Sequence, residues 1–487
     1  MIYFAIAVFL ILLLPRLWAF GMFLDGLLYA SIARNMAEGA GTFNAPYYTD
    51  FMGKIFYWHP PLSFWLHSLF YRFFGDNTLV DTLFGFVSGG VILALLFFIF
   101  QLSDDQKSDD TGKPYWSVIL LVSLMPMTSW IFSNNMLEIT MTVFILASVY
   151  FQLRALNAKT NLKLRSLTFY FLCAGVSLAL AVLSKNIAGL FPLIVPMLHY
   201  ILFKKTSFTK ALLLSIFLTA AAILTTYLIL YFTDSIDFYK NYIQHQLVPS
   251  VSGSMPGEKT GAARNTWLIL SELLLPLVVS LSVTAISKKW NQIKVSRLSL
   301  FFLIIGLAGT VPLFLVHKFR SYYLYPGLPF FALSIAAIFA PSFLELDKKF
   351  KTSALFRRYT TILSFMTAIT AVILFFSFKN YPSRLKEFKY DFYDTALNIP
   401  PRSAVANCVG SEQYTLIAAF QRYYKLSLVS ETNPENSRWI LNDKTQKCKV
   451  DKSCRKINRP DSLLYDLYDC KPEKEIIKTI KGEKPFP

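Results

Sequence analysis

Charge is scarce in this chain. Asp, Glu, Lys and Arg make up only 16% of its 487 residues, and the 30 acids are outnumbered by 48 basic residues. Soluble domains carry about 25% charged residues, so a solvated globular protein is excluded. The net charge of +18 would suit nucleic acid, but no DNA-binding or RNA-binding motif is present. The basic residues fall mainly in short stretches between apolar runs, a placement that marks orientation in a membrane. Internal repeats and low-complexity segments are also missing. A paired-half transporter would carry matching halves with broken helices in equivalent places, and none is visible. The first apolar run, Ile2 to Leu14, lacks a basic start and a small-residue cleavage site. It therefore reads as a retained anchor and not a signal peptide.

Apolar sequence is what the chain has in abundance, 54% hydrophobic residues with a mean hydropathy of +0.44. Its runs are of the length, about 17–25 residues, that a bilayer crossing needs. About eleven crossings are expected: the first run, then residues 82–100, 116–132, 138–153, 167–184, 187–203, 211–232, 266–287, 298–316, 322–343 and 359–378. An odd number puts the two termini on opposite sides. With the N-terminus cytoplasmic, the inner loops hold about 18 Lys and Arg in about 59 residues; the outer loops before residue 379 hold about 9 in about 106. That bias sends residues 21–81, Lys185, 233–265, 317–321 and everything after 378 to the outside.

Hydropathy falls after residue 378. Residues 404–409, 426–429, 439–441 and 463–468 read as short strands and 411–424 as a helix, a small mixed α/β domain. Four of the five cysteines, Cys408, Cys448, Cys454 and Cys470, lie there, whereas Cys173 sits in an apolar run. An even set in one compact region implies two disulfides with three pairings open. The C-x5-C and C-x15-C spacings suit zinc poorly. Disulfides belong to an oxidising compartment, the side that the basic loops also indicate. The expected fold class is thus a polytopic α-helical membrane protein, residues 1–378, followed by a small outer α/β domain, residues 379–487.

The chemistry-bearing stretch is Gly21 to Leu66. It holds Asp25, Arg34, Glu38, Asp50, Lys54 and His59 among aromatic and apolar residues. So much charge is not stable exposed to hydrocarbon. Phe23, Leu27, Leu28, Ile32, Ala33 and Met36 recur near helical spacing, which predicts one or two short helices at the membrane–water boundary. Asp25, flanked by Phe23, Leu24 and Leu27, suits a general acid or base; its bland alternative is a helix N-cap. His245, in Tyr-Ile-Gln-His-Gln, reads as a surface residue and not a metal ligand.

Taken together, LPRLWAF, LDGLLYASIARNMAEGAGTF and YWHPPLSFWL resemble the opening of bacterial membrane glycosyltransferases of the C type (GT-C), related to protein O-mannosyltransferases and the lipid A aminoarabinose transferase. The matching residues are Asp25, Tyr29, Ala33, Arg34, Gly41, Phe43, Pro60, Pro61, Leu62 and Trp65. Weaker likeness continues at Glu138, at Ser184-Lys185-Asn186 and from Lys318 through Arg320, Tyr322 and Tyr323 to Pro326. Gly26 stands where the family has a Glu, and His59 where it has a Lys before Pro-Pro.

The resemblance implies transfer of a sugar from a polyprenyl-phosphate donor to a glycolipid or protein acceptor at the outer membrane face, with no cofactor, a divalent cation being left open. Asp25 and Glu138 would be the catalytic carboxylates of that chemistry, and Lys54, His59, Lys185, Arg264, Lys318 and Arg320, the cations expected on the outer side, would serve the donor phosphate. Tyr29, Arg34, Tyr322 and Tyr323 would line the substrate cleft. Each has an ordinary alternative: Glu138 as an N-cap-region acid, Lys318 and Arg320 as snorkelling side chains, the tyrosines as an aromatic belt. Two rival functions remain: a flippase of lipid-linked sugars, which would use the same cations but needs no base, and a membrane-anchored binding protein whose C-terminal domain does the work.

Overall fold

The computed structural model describes every residue except 51–53, 104–112, 159–162, 253–260, 317–318, 393–394, 409–413, 430–437, 445–449, 451, 453 and 471–487. Helices come first: α1 (Ile2–Leu17), α2 (Leu24–Ala37), α3 (Leu62–Phe74), α4 (Thr78–Leu102), α5 (Tyr115–Ser123), α6 (Pro126–Ser133), α7 (Leu137–Leu156) and α8 (Leu164–Ser184). A 3₁₀ segment, Ile187–Ile194, leads into α9 (Val195–Phe203) and α10 (Phe208–Phe232). Then follow α11 (Ile236–Tyr242), α12 (Val248–Ser252), α13 (Ala262–Ser287), α14 (Arg297–Thr310), α15 (Leu328–Ile338), α16 (Ala340–Thr352) and α17 (Ala354–Ser377). The remainder is α18 (Lys386–Phe392), β1 (Ala404–Cys408), α19 (Tyr414–Tyr424), β2 (Ser427–Val429), β3 (Trp439–Asp443), β4 (Arg455–Lys456) and β5 (Tyr465–Asp469).

The chain divides into two compact units. The first comprises Met1–Leu17, Tyr57–Ser63 and Thr82–Ser377; the second comprises Trp18–Phe56, Phe64–Asp81 and Phe378–Pro487.

In the first unit, α1 packs along α17, α7 along α8, α8 along α10, and α14 along α15. Among the described residues, seven helices are long and apolar enough to cross a membrane: α4, α7, α8, α10, α13, α17, and α14 with its 3₁₀ extension to Leu315. The count reaches nine if α5–α6 and α15–α16, each bent by 70°, are single spans. All eleven expected segments meet apolar helix, but α1 and residues 187–203 are shorter than a straight crossing. Hydropathy registers composition and not straightness. Pro126 and Pro341 sit in the first turn of α6 and α16, where proline fits the new helix and disfavours helical backbone just before it.

The second unit is built on a five-stranded sheet of order β2-β1-β3-β5-β4. β1 pairs in parallel with β2 and β3, while β5 runs antiparallel between β3 and β4. The parallel β1–β2 pair needs a crossover, which α19 supplies. Asp391 of α18 accepts the backbone N–H groups of Leu463 (2.6 Å), Leu464 (3.0 Å) and Tyr465 (3.0 Å), tying that helix to the start of β5. All four expected strands and the expected helix are present; β4 is additional.

The core of this sheet contains residues from the opposite end of the chain. Phe20, Met22, Leu27 and Ala30 pack in one cluster with Phe388, Phe392, Val405, Leu416, Phe420, Leu428, Leu441 and Leu467. The joint is zipped by backbone: Phe20 N–H donates to Tyr381 O (2.8 Å) and Asn380 N–H to Trp18 O (2.9 Å). Gly21, at φ 92°, passes so close that a Cβ would stand 2.5 Å from Arg384 O. Ten of the fourteen residues of α2 are buried, too many for a single stripe. The expected short helices are present, and α2 is buried on more than one face because Gly26, Ala30, Ser31 and Ala33 let neighbours close over it.

Cys454 and Cys470 form a disulfide, which selects one bond from the three open pairings. Cys408 is disulfide-bonded as well, whereas Cys448 falls outside the described residues. Cys173 is a half-buried free thiol.

Candidate functional site

Four of the expected residues meet in the first unit. Glu138 lies in the first turn of α7, and Lys185 caps the C-terminal end of α8. Each charge therefore sits at the helix end whose dipole favours it. Short hairpins bring them there. Asn135 turns the α6–α7 connection with φ 51°, a left-handed conformation that asparagine tolerates. The Asn186 side chain accepts from Ala188 N–H (2.9 Å) and so starts the 3₁₀ segment at Ile187.

The Lys185 ammonium donates to the Glu138 carboxylate, and both side chains are buried, 4% and 0% exposed. Its Nζ also stands 4.1 Å from the ring centre of Tyr323 and 5.5 Å from that of Tyr322. The two rings meet edge to face at 5.0 Å, and Tyr322 stacks on Trp130 at 5.6 Å. Tyr242 Oη donates to the Lys185 carbonyl (3.3 Å), and Ser63 Oγ to that of Ser184 (2.9 Å). Taking two charges out of water costs more than their attraction commonly returns. What the arrangement provides is an ammonium fixed in place before any ligand arrives, the requirement for electrostatic stabilisation of a developing anion.

The other expected cations are dispersed. In the first unit, His59 is half-buried next to Pro60, and Arg264 and Arg320 are exposed. Lys318 falls outside the described residues. His245 is exposed within a single π turn, Ile243–Leu247. Among the described residues, no group of three or more His, Cys, Asp or Glu is placed to hold a metal ion.

Asp25, Tyr29, Arg34 and Lys54 belong to the second unit. Asp25 is half-buried in the first turn of α2; the N-cap position is Phe23, so Asp25 is not the cap. Tyr29 is buried against Phe64, with ring centres 5.5 Å apart. Lys54 is exposed. Arg34, expected in a substrate cleft, is held within this unit by hydrogen bonds to backbone and to Asn35. Its buried guanidinium donates to Gln421 O (3.0 Å), Arg422 O (2.8 Å) and Asn35 Oδ1 (2.8 Å). The two carbonyls belong to the last turn of α19, and that of Gln421 also accepts from Lys425 N–H (3.2 Å).

Sequence reasoning missed the network beside it. Arg422 donates to Asp81 Oδ1 through Nε (2.8 Å) and Nη2 (2.5 Å), and to Asp76 Oδ1 (2.8 Å). Tyr71 Oη donates to Asp81 as well (2.5 Å). Burial pushes the Asp76 carboxyl up, but Arg422 and then Arg34 bring it below its usual value. The same partners hold Arg422 charged in spite of its burial. In the sequence, Arg422, Asp76 and Asp81 each resemble a solvated charge and gave no signal of it.

His67 of α3 donates from Nε2 to Val80 O (3.1 Å), and burial pushes its pKa from the usual 6.5 down to about 3. The imidazole is therefore neutral in the folded unit, while the unfolded chain takes up a proton below about 6.5. Stability is fully present above that pH and is lost as pH falls from there towards 3. Melting curves of the purified chain between pH 8 and 4.5 are expected to show this loss, and His67→Gln to flatten it; an unchanged slope in the variant would refute the assignment.

Comparison with known proteins identifies the fold. ArnT from Cupriavidus metallidurans bound to undecaprenyl phosphate aligns over 96% of this chain and 98% of its own, at 13% identity and a TM-score of 0.64. The same protein in the apo state aligns over 95% and 96%, also at 13% identity, with a TM-score of 0.62. Residues 58–232 match the family model of dolichyl-phosphate-mannose-protein mannosyltransferase. No curated protein matches in sequence. The chain shares the fold of that ArnT, as its opening motifs implied, and over residues 58–232 it is similar to the mannosyltransferase family.

Proposed function

We propose that this protein is a glycosyltransferase that takes its sugar from a polyprenyl-phosphate donor. The reading rests chiefly on one observation: the fold extends over nearly the full length of a protein solved with undecaprenyl phosphate. The match to the mannosyltransferase model agrees with it. So does the fixed Lys185 ammonium, suited to the charge that grows on a departing phosphate.

In the proposed reaction the acceptor oxygen attacks the anomeric carbon, forming a new C–O bond. The bond from that carbon to the phosphate oxygen breaks, and its electron pair leaves with the polyprenyl phosphate. Asp25 takes the acceptor's proton, and Glu138 holds Lys185 for the leaving group. Lys54, His59, Arg264, Lys318 and Arg320 are the further candidate phosphate ligands, and Tyr29, Tyr322 and Tyr323 the candidate lining of the cleft. Lipid A or another surface glycolipid is the favoured acceptor, with protein or polysaccharide next. We place the reaction at the outer face of the inner membrane, with residues 379–487 periplasmic and the N-terminus cytoplasmic. Supporting that orientation are the basic loops between crossings and the Cys454–Cys470 disulfide.

Mass spectrometry of envelope lipids and glycoproteins from cells with and without the protein tests this directly. A hexose, pentose or amino-sugar increment is expected only where the protein is present, and it names donor and acceptor together. Absence of any increment, with lipid-linked sugar still moved across the bilayer, would replace transfer by transport.

A further inference from the structure

The Lys185 cluster is continuous with a carboxylate that no catalytic step uses. Glu272 lies within α13, a membrane-crossing helix, and is 9% exposed. Acids at such positions are costly and are kept where they have a partner and a function. Its partner is the broken pair α5–α6. At the start of α6, Met125 provides no side-chain cap and Pro126 has no N–H to offer. The first available donor, Met127 N–H, is met by Glu272 Oε2 at 2.8 Å. An anion there also suits the helix dipole.

The same short helix is held along its side. A Cβ on Gly85 of α4 would stand 2.5 Å from Phe132 O, and one on Gly89 2.9 Å from the Phe132 ring. Phe132 meets Tyr325 edge to face at 5.7 Å. With its N-terminal end tied to α13 and its flank pressed on α4, α6 has little freedom to turn. It presents Trp130, whose ring lies nearly parallel to that of Tyr322, at 19°. Tyr322 in turn faces the Lys185 ammonium.

We infer that Glu272 and Trp130 are positioning residues for the Lys185 cluster: Glu272 fixes α6, and α6 fixes Tyr322 through Trp130. The inference deepens the proposed function, on which its kinetic consequence rests, by assigning these residues to recognition of the lipid phosphate and not of the acceptor. Loss of either loosens the ring against Lys185 without removing the charge. The cost therefore falls on donor binding.

The test has two arms on the full-length protein in nanodiscs. In the first, the eight tryptophans are replaced by 5-fluorotryptophan, and the Trp130 fluorine resonance is identified by its loss in Trp130→Phe. Glu272→Leu is expected to shift that resonance, and Glu272→Gln, which keeps an acceptor oxygen, to leave it in place; a resonance unmoved by Glu272→Leu overturns the inference. In the second, Glu272→Leu and Trp130→Ala each raise KM for the lipid donor about tenfold, the scale of one hydrogen bond to a charged group. The acceptor KM holds, and the double variant is no worse than the weaker single. Multiplied effects, or equal losses on both substrates, overturn it. If Glu272→Leu does not assemble, Trp130→Ala against Trp130→Phe makes the same comparison, with equal donor KM in the two as the overturning result. Failure of the wild type to use any polyprenyl-phosphate sugar would sink the proposed function alone, and the fluorine arm would still decide whether Glu272 positions Trp130.

Discussion

Asp25→Asn is expected to lower sugar transfer by about 10²–10⁴-fold, the usual range for loss of a general base, with binding of the donor lipid retained. Asparagine has nearly the shape of aspartate and keeps its hydrogen-bonding capacity, but does not accept the acceptor's proton. Asp25 is half-buried in the first turn of α2, where losing a negative charge from a helix N-terminus costs about 0.3–1 kcal/mol. Initial rates in proteoliposomes, paired with native mass spectrometry of the protein with its polyprenyl phosphate, separate chemistry from binding. Transfer within a few-fold of wild type would remove Asp25 from the reaction, and a flippase would be indifferent to the change. Deleting residues 381–487, by contrast, does not discriminate between enzyme and binding protein. It strips Phe388, Phe420 and Leu441 from the cluster that holds Leu27 and Ala30 of α2, and so undermines the helix that carries Asp25.

Much of this arrangement is legible in the sequence because it depends on local composition. Strands β1, β2, β3 and β5 appear wherever a few apolar and β-branched residues stand between polar ones. The eleven apolar runs appear because hydropathy sums over neighbours. Lys185 and Glu138 stand out singly, one as a cation against the orientation bias and the other as an acid opening a crossing. Their meeting is not legible: they are 47 residues apart, and only the packing of α7 on α8 joins them. Arg422 and Asp81, 341 residues apart, leave no local trace, since each alone resembles a solvated charge. The burial of α2 is hidden for another reason. Gly26, Ala30, Ser31 and Ala33 contribute little to a hydropathy pattern, yet small side chains are what lets neighbouring elements close over a helix.

Lys185→Met is expected to abolish transfer and to destabilise the protein at once. Removing one member of a buried pair leaves the other charge without compensation, at a cost of about 3–5 kcal/mol, and Glu138 is fully buried. Stability and activity are therefore confounded in the single variant, and Glu138→Leu carries the same ambiguity in reverse. The double variant Lys185→Met/Glu138→Leu resolves it. Two apolar side chains of similar volume fill the space without either desolvated charge, an exchange that is often neutral or stabilising. Its melting temperature should return to near the wild-type value, because Tyr322 and Tyr323 pack as well on a methionine as on a lysine stem. Its transfer rate should not return, since no fixed cation remains to receive the phosphate. Thermal melts alongside initial rates for the four proteins make the comparison. A double variant that melts normally and still transfers sugar would show that the pair serves packing alone, and the leaving group's counter-charge would then have to be sought among His59, Arg264 and Arg320.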